Sequence, residues 1–558
     1  MKSFGAPALV SLVLAALLAY NVHAISQVSR TGRYLYTADG SRFYIKGVAY
    51  QQQGIVTDTS ANNPFGEPST FIDPLADASG CARDLPYLTQ LGVNTVRVYS
   101  VDSTQNHDSC MSALSGAGIY TIIDLTLPLN GSIDRSSPAW STNLLDQYLA
   151  TIDAFSKYDN VLAYNVGNEV VNSSSNTNVA PFVKAAARDI KAYLTAKKSN
   201  VLIGYAAIDG SDDFRDPLAN YFSCDPSNTN SGSTAIDLFG LNNYEWCGNS
   251  TFEGSYSDTE NSFAGYNVAA YFSEYGCVPP SGARPWTEVA ALLSSDMSPV
   301  WSGGIAFSYF PAASAAGQFG MITLSSDNKT VSTTTDFTNL ATEYGAAAPP
   351  NTPAQASAAA AAFPSCPTQN STFLASTTLP ATPNLSACEC LESGLSCQFT
   401  PVVSDYTVVA GQLINTACGL LGQSGGTCSD IAADGAAGTY GLISGCDPTV
   451  KLSYVMSKYY ESQNRNVQAC SFAGNGTVNS HASTSVSATS VASSCIASPS
   501  ATFAPTAPAS TTKSSSTGTT TSAGGPKKNG ASTLVGGGFV GMVSMGVVVV
   551  VSGMWTVM

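Results

Sequence analysis

Histidine is almost missing from this chain: three occur in 558 residues, at positions 23, 107 and 481. His23 falls in an apolar leader, so a Ser-His-Asp site would have to use His107, which sits in the polar, loop-like run STQNHDSC. No HExxH or multi-histidine zinc site can be built. Charge is scarce as well. Only 11% of residues are charged, and Lys+Arg 23 against Asp+Glu 38 leaves a net charge of −15. With no clustered positive charge to neutralise phosphates, nucleic acid is not an expected partner. There is no P-loop, and the one formal GxGxxG, Gly536 to Gly541, lies inside an apolar run with no strand before it or polar helix after it. No metal or other cofactor is expected. What remains is carboxylate chemistry assisted by tyrosines and amides. A low-charge surface with 9% aromatic residues suits neutral, hydroxyl-rich ligands such as sugars.

Both ends read as address labels. Lys2 precedes an apolar run from Ala8 to Leu18, and Val22-His23-Ala24 offers a small-residue cleavage site, so residues 1–24 read as a signal peptide. From Thr533 to Met558 the chain is apolar and uncharged. Small residues (Ser522, Ala523, Gly524, Gly525) and the spacer PKKNGAS precede that stretch. This order is the signal for a glycosylphosphatidylinositol anchor, attached at Ser522 or a neighbour, with the hydrophobic tail (531–558) removed. A tail-anchored helix is the alternative. Fourteen cysteines, an even count, then read as seven disulfides of a secreted protein, oxidised rather than metal-bound. Seven N-glycosylation acceptors agree: Asn130, Asn172, Asn249, Asn328, Asn370, Asn384 and Asn475. The expected location is the outer face of the plasma membrane and the cell wall.

Residues 25–345 carry eight apolar, β-branched and aromatic runs of strand length: 43–50, 95–100, 120–126, 161–166, 201–208, 237–244, 269–275 and 303–310. Helix-like segments lie between several of them. Leu144 to Tyr158 and Val179 to Leu194 repeat apolar residues near the 3.6 period. Eight alternations over about 300 residues predict a (β/α)8 TIM barrel, with a doubly wound open sheet as the alternative. Residues 346–383 read as an Ala/Pro-rich linker. A cysteine-rich module over 384–478 is small enough to need its disulfides for stability. Residues 479–530, dominated by Ser and Thr, read as a disordered stalk.

The run YNVGNEV (164–170) brings an apolar strand to an end on Asn168-Glu169. A single Glu at a strand end is ordinarily a solvated or salt-bridged residue. Glu274, in AAYFSEYGC, repeats the context, and by this count the two close strands four and seven. Both then project from the C-terminal mouth of the barrel, where such folds place their sites. Two carboxylates there are the equipment of a glycoside-cleaving enzyme. Tyr50, Tyr99, Tyr244 and Tyr309 also end strands; any one could be core, yet four around one mouth suggest sugar-stacking walls.

The motifs YIKGVAYQ (44–51), GVNTVRVYS (92–100), YNVGNEV (164–170), NNYEWCG (242–248), FSEYGC (272–277) and WSGGIAFSYF (301–310) resemble fungal, glycosylphosphatidylinositol-anchored β-1,3-glucanosyltransferases of glycoside hydrolase family 72, the Gas, Gel and Phr groups. CEC (388–390), GTYGLISGC (438–446) and KLSYVMSKYYESQ (451–463) resemble the carbohydrate-binding module of family 43, or X8, found in one branch of that family. The resemblance implies a retaining transglycosylase that cleaves β-1,3-glucan internally and joins the new reducing end to the non-reducing end of an acceptor glucan. It implies Glu169 as general acid/base and Glu274 as nucleophile, with Tyr99, Asn168, Tyr244 and Tyr309 lining the sugar sites and Gln51 and Asp124 near the sugar. Glu169 must start protonated, with its pKa raised toward roughly 6. The resemblance also implies bridges Cys81–Cys110, Cys224–Cys366 and Cys247–Cys277, leaves the module pairings open, and implies partners in donor and acceptor glucans, the plasma membrane and, covalently, wall glucan. One departure is visible: Pro311-Ala312 stand where the family carries an acidic pair. A simple endo-β-1,3-glucanase and a non-catalytic wall-binding protein are the rival readings.

Overall fold

The structure, a computed structural model, describes residues 25–55, 68–128, 131–314, 317–403 and 406–508. Asn130, Ser522, and the stretches read as a leader, as an anchor signal and as a stalk beyond residue 508 lie outside the described residues. Eight strands form the centre: β1 Ile45–Ala49, β2 Thr95–Val98, β3 Tyr120–Asp124, β4 Val161–Asn168, β5 Leu202–Ile208, β6 Leu238–Asn242, β7 Ala269–Tyr275 and β8 Trp301–Ala306. They pair in parallel in chain order, and β8 closes on β1. The open-sheet alternative is therefore set aside. Helices cover the outside: α1 Ala78–Leu91, α2 Asp108–Gly116, α3 Thr142–Phe155, α4 Ala180–Ala196 and α5 Asp212–Ser223, with shorter pieces after β6 and β7 and Thr335–Ala346 after β8.

Each strand is buried on both faces, which is why its sequence reads as a continuous apolar run. Ile45, Ile122, Leu162, Leu238, Tyr271 and Ile305 fill the lower barrel, which Val28 and Leu35 of the N-terminal hairpin stopper. A larger core lies between strands and helices. Complete burial of each such side chain stabilises the fold by about 1.5–3 kcal/mol. Near the upper rim the ladder is irregular. Register shifts fall between Asn165 and Asn168 on β4, and between Leu241 and Asn242 where β6 meets β7. Such bulges re-aim the side chains at strand ends.

The region read as a linker is wrapped tightly on the barrel. Tyr44 and Tyr36 donate to the carbonyls of Pro350 and Pro353, Cys366 is bridged to Cys224, and Arg188 donates to the Pro380 carbonyl. The module packs helices Leu385–Gly394, Thr407–Gln423, Pro448–Ser462 and Ala488–Cys495 around its own core. Its bridges are Cys388–Cys446, Cys390–Cys495, Cys397–Cys470 and Cys418–Cys428. The start of the presumed stalk is thus folded: Cys390 pins the helix ending at Cys495, and Thr382 pairs with Ala501 and Phe503. Asn475, read as a glycan acceptor, is buried in the folded module. It is 7% exposed, its amide donates to the Phe472 carbonyl and its oxygen accepts from the Val402 amide. A glycan there would have to displace those contacts. Asn249, Asn328, Asn370 and Asn384 are exposed, and Asn172 is half-buried against Asn176.

Candidate active site

Glu169 and Glu274 face one another across the upper end of the barrel. The β4 bulge ends with Glu169 in the left-handed region at φ 49°, a conformation uncommon outside glycine. Neighbours hold it there. Its amide donates to the Ala206 carbonyl at 2.9 Å, its own carbonyl accepts from Arg135 Nη2 at 3.0 Å, and the Val171 amide donates to the Tyr205 hydroxyl at 3.1 Å. Strain of this kind persists only where the surroundings over-determine it. The side chain stays half-buried, and Oε1 accepts from Asn242 Nδ2 at 2.7 Å.

Glu274 has more donors. Oε1 accepts from the Tyr99 hydroxyl at 2.8 Å and from Arg97 Nη1 at 3.4 Å, while Oε2 accepts from the Tyr244 hydroxyl at 2.8 Å. Arg97 is fully buried, and its fork is shared between Asp124 (2.7 and 3.3 Å), Asn168 Oδ1 (2.8 Å) and the Ser273 carbonyl (3.0 Å). Asp124 also accepts from Asn165 at 2.6 Å and is buried beneath the site. Gln51 lies at the rim as a strut: its oxygen accepts from the amides of Tyr99 and Ser100, and its amide donates to the Ile72 carbonyl.

Burial pushes the Glu169 carboxyl up, and the charge of Glu274 adds to the rise. Asn242, Arg135 and Arg97 pull it back, and it titrates at about 7. Burial also raises Glu274, but Arg97 and the phenols of Tyr99 and Tyr244 oppose that rise. Of two carboxyls sharing a site, the one with fewer donors keeps the proton. The arrangement therefore favours the proton on Glu169 and the negative charge on Glu274.

Not every strand-end tyrosine reaches this cleft. Tyr50 and Tyr309 are fully buried and donate together to Asp84, at 2.9 and 3.1 Å. Phe307 stands at the mouth in place of Tyr309, half-buried and edge-on to Tyr99 at 6.3 Å. The Phe307 amide pairs toward β7, on Tyr275, whereas two residues later Tyr309 pairs toward β1, on Ala49. The chain has swung across the barrel rim in between. Phe319, 5.3 Å from Phe307 and 5.8 Å from Tyr244, completes an aromatic arc around Glu274. Arg97, Asn242, Phe307 and Phe319 are the residues that reading the sequence missed. For Arg97 a signal existed, since a lone arginine inside the β-branched run TVRV needs a buried partner. Among the described residues no cluster suited to hold a metal ion occurs.

The loops carrying the site are stapled. Cys247–Cys277 joins the segments after β6 and β7, and Cys81–Cys110 joins α1 to α2.

A glucanosyltransferase family model, that of glycoside hydrolase family 72, matches residues 15–348, and an X8 domain model matches residues 395–477. The chain is 41% identical over 472 residues to Protein EPD1 of Candida maltosa, covering 83% of this chain and 78% of that one. It is 37% identical over 493 residues to 1,3-beta-glucanosyltransferase gas1 of Schizosaccharomyces pombe, covering 87% and 84%. Among solved structures, a mutant Gas2p of Saccharomyces cerevisiae in complex with laminaritetraose and laminaripentaose superposes with a TM-score of 0.72 at 35% identity, covering 85% of this chain and 99% of that one.

Proposed function

The chain belongs to the glucanosyltransferase family, glycoside hydrolase family 72, and on that premise we propose that Glu169 and Glu274 are its acid/base and nucleophile. The protein is a 1,3-β-glucanosyltransferase: it cleaves within a β-1,3-glucan and transfers the fragment to a second glucan. The observation that supports the two roles is their unequal hydrogen bonding, three donors on Glu274 against one on Glu169. Glu274 attacks the anomeric carbon while Glu169 gives its proton to the departing glycosidic oxygen, leaving a glycosyl ester on Glu274. The ester has no charge, so one of the two causes raising the Glu169 pKa disappears at this step. Glu169 is then ready to take a proton from the incoming non-reducing-end hydroxyl, which displaces Glu274 and restores the configuration.

Tyr99 and Tyr244 hold the nucleophile, Asn168 donates to a sugar hydroxyl beside the reacting carbon, and Arg97 with Asp124 fixes that amide from below. The arc of Tyr99, Phe307, Phe319 and Tyr244 offers rings on which sugar can exclude water, the condition under which transfer outruns hydrolysis. The test is incubation with a reduced laminarioligosaccharide. Products longer than the substrate are expected, and only shorter ones would make the protein an endo-β-1,3-glucanase instead.

Residues 1–24 act in this reading as a removed leader and 531–558 as a tail exchanged for a glycosylphosphatidylinositol anchor near Ser522, leaving the enzyme on the outer face of the plasma membrane beside wall glucan. Seven disulfides support an oxidising, extracellular setting. Release of activity from membranes by a phosphatidylinositol-specific phospholipase tests the anchor.

A further inference from the structure

An amide's polarity is fixed only by its neighbours, and here a chain of them starts from a group that cannot accept. Arg97 Nη2 donates to one end of the Asn168 amide at 2.8 Å, so that end is the oxygen. The Asn242 amide lies 3.2 Å from that same oxygen and must present its NH2 there. The same NH2 is 2.7 Å from Glu169 Oε1. At the far end, the Ser273 hydroxyl, which can turn to suit the orientation that Arg97 and Asn168 set, donates to Asn242 Oδ1 at 2.7 Å and holds that end in place. Asn242 and Ser273 are 3% and 0% exposed, so water does not substitute for either.

We propose that Asn242, held by Ser273 and by the Arg97–Asn168 pair, is a positioning residue for the acid/base: it keeps Glu169 Oε1 a permanent acceptor and confines the transferable proton to Oε2. This rests on Glu169 being the acid/base. An unconstrained carboxylic acid can carry its proton on either oxygen, and half of those states aim it away from the glycosidic bond. The Asn242 NH2 excludes the unproductive oxygen, because a proton on Oε1 would meet an N–H. The same chain leaves the Asn168 NH2 facing the cleft, so Asn168 can donate to a sugar hydroxyl. The other groups facing Glu169 are Glu274 and Tyr244, Arg97, Arg135 and Tyr205, and substitution at 242 or 273 removes none of them.

The test compares Asn242→Ala, Asn242→Ser and Ser273→Ala with the parent on two donors, a laminarioligosaccharide and a 2,4-dinitrophenyl β-laminarioligosaccharide whose leaving group needs no proton. For Asn242→Ala the expected result is a 10- to 100-fold fall in kcat on the natural donor with little change in KM. The alkaline limb of its pH profile should move upward, since a donor that stabilises the carboxylate is gone. On the dinitrophenyl donor, release of dinitrophenolate should stay within about threefold of the parent. Ser273→Ala should show the same pattern more weakly, and Asn242→Ser, which keeps a donor, should recover part of the loss. Equal losses on both donors, or an alkaline limb that does not move in any folded variant, would overturn the assignment. Failure of Glu169→Gln itself to discriminate between the donors would instead remove the acid/base role on which it stands.

Discussion

Glu169 is a destabilising residue to fold around. A carboxyl that ordinarily titrates at 4.5 and here titrates at about 7 is favoured by the fold only in its protonated form. The sign follows directly: below about pH 4.5 both folded and unfolded chains hold the proton and the site is neutral in energy. As pH rises through 7 the folded state must carry a partly buried charge, and stability is lost. Glu169→Gln removes that penalty, so the variant should match the parent's Tm at pH 4 and exceed it at pH 8, by about 1–3 kcal/mol in unfolding free energy. A calorimetric scan at the two pH values decides it, and a variant less stable at pH 8 would contradict the burial argument. The left-handed backbone at Glu169 belongs to the same trade, with Arg135 and Tyr205 holding a conformation that serves the site rather than the fold.

At the scale of the elements, the site depends on how β7 leaves the barrel. Two residues past Glu274, Gly276 adopts φ +114°, and a Cβ there would stand 2.3 Å from Trp286 Cζ3. Gly276→Ala therefore meets both backbone strain and overpacking against a buried ring. It should cost about 2–4 kcal/mol of stability and misplace Glu274, with transglycosylation lost before folding fails. Denaturant titration beside an activity assay measures both, and an unimpaired enzyme would show that the turn after β7 is not constrained. All eight strands were legible because a strand buried on two faces has no alternation to disguise its apolar run. Helices α3 and α4 were legible for a different reason, the recurrence of apolar residues near the 3.6 period on the face turned to the strands. What lies at strand ends was not. Tyr309 and Phe307 have equal claims by composition, and only the swing of the rim from β7 toward β1 separates a core phenol from a cleft ring. Nor could Asn242 be found from its own motif, since its partner Glu169 is 73 residues away and meets it through a bulge. Composition alone marked 346–383 and 479–508 as loose. It cannot register that carbonyls of Pro350, Pro353 and Pro380 are satisfied by barrel side chains, or that Cys495 reaches back to Cys390.

Across the whole molecule, the module and the segment leading into it are seated on α3 and α4, the helices before and after the strand that ends in Glu169. Tyr440 packs edge-on against Phe182 of α4 at 5.7 Å, the Thr142 amide at the start of α3 donates to the Gly445 carbonyl at 3.0 Å, and Asp189 on α4 accepts from Thr382 at 2.7 Å. This seam carries a concentration of acid. Asp146 of α3 is raised to about 6 by burial, with the charges of Glu389 and Asp447 of the module adding to it, and Glu392 is raised by burial and by Asp447 and Glu389 in turn. Lys451, close to Asp447, is an opposing charge beside them, and burial lowers it to about 8. Since Asp146 is raised in the folded chain, its contribution is complete below about pH 4 and is lost as pH climbs through 6. The barrel and module should therefore hold together more firmly in acid than at neutrality. Asp146→Asn, which keeps the shape and removes the charge, should raise the unfolding free energy at pH 8 by on the order of 1–2 kcal/mol and leave it unchanged at pH 4. Hydrogen exchange localises the effect: amides of α3 and of the helix Pro448–Ser462 should be better protected in the variant at pH 8. Catalytic-site amides such as those of β7 should not change. If protection rises everywhere alike, the charge acts on global stability rather than on the seam, and the module is then one cooperative unit with the barrel whatever its ionisation.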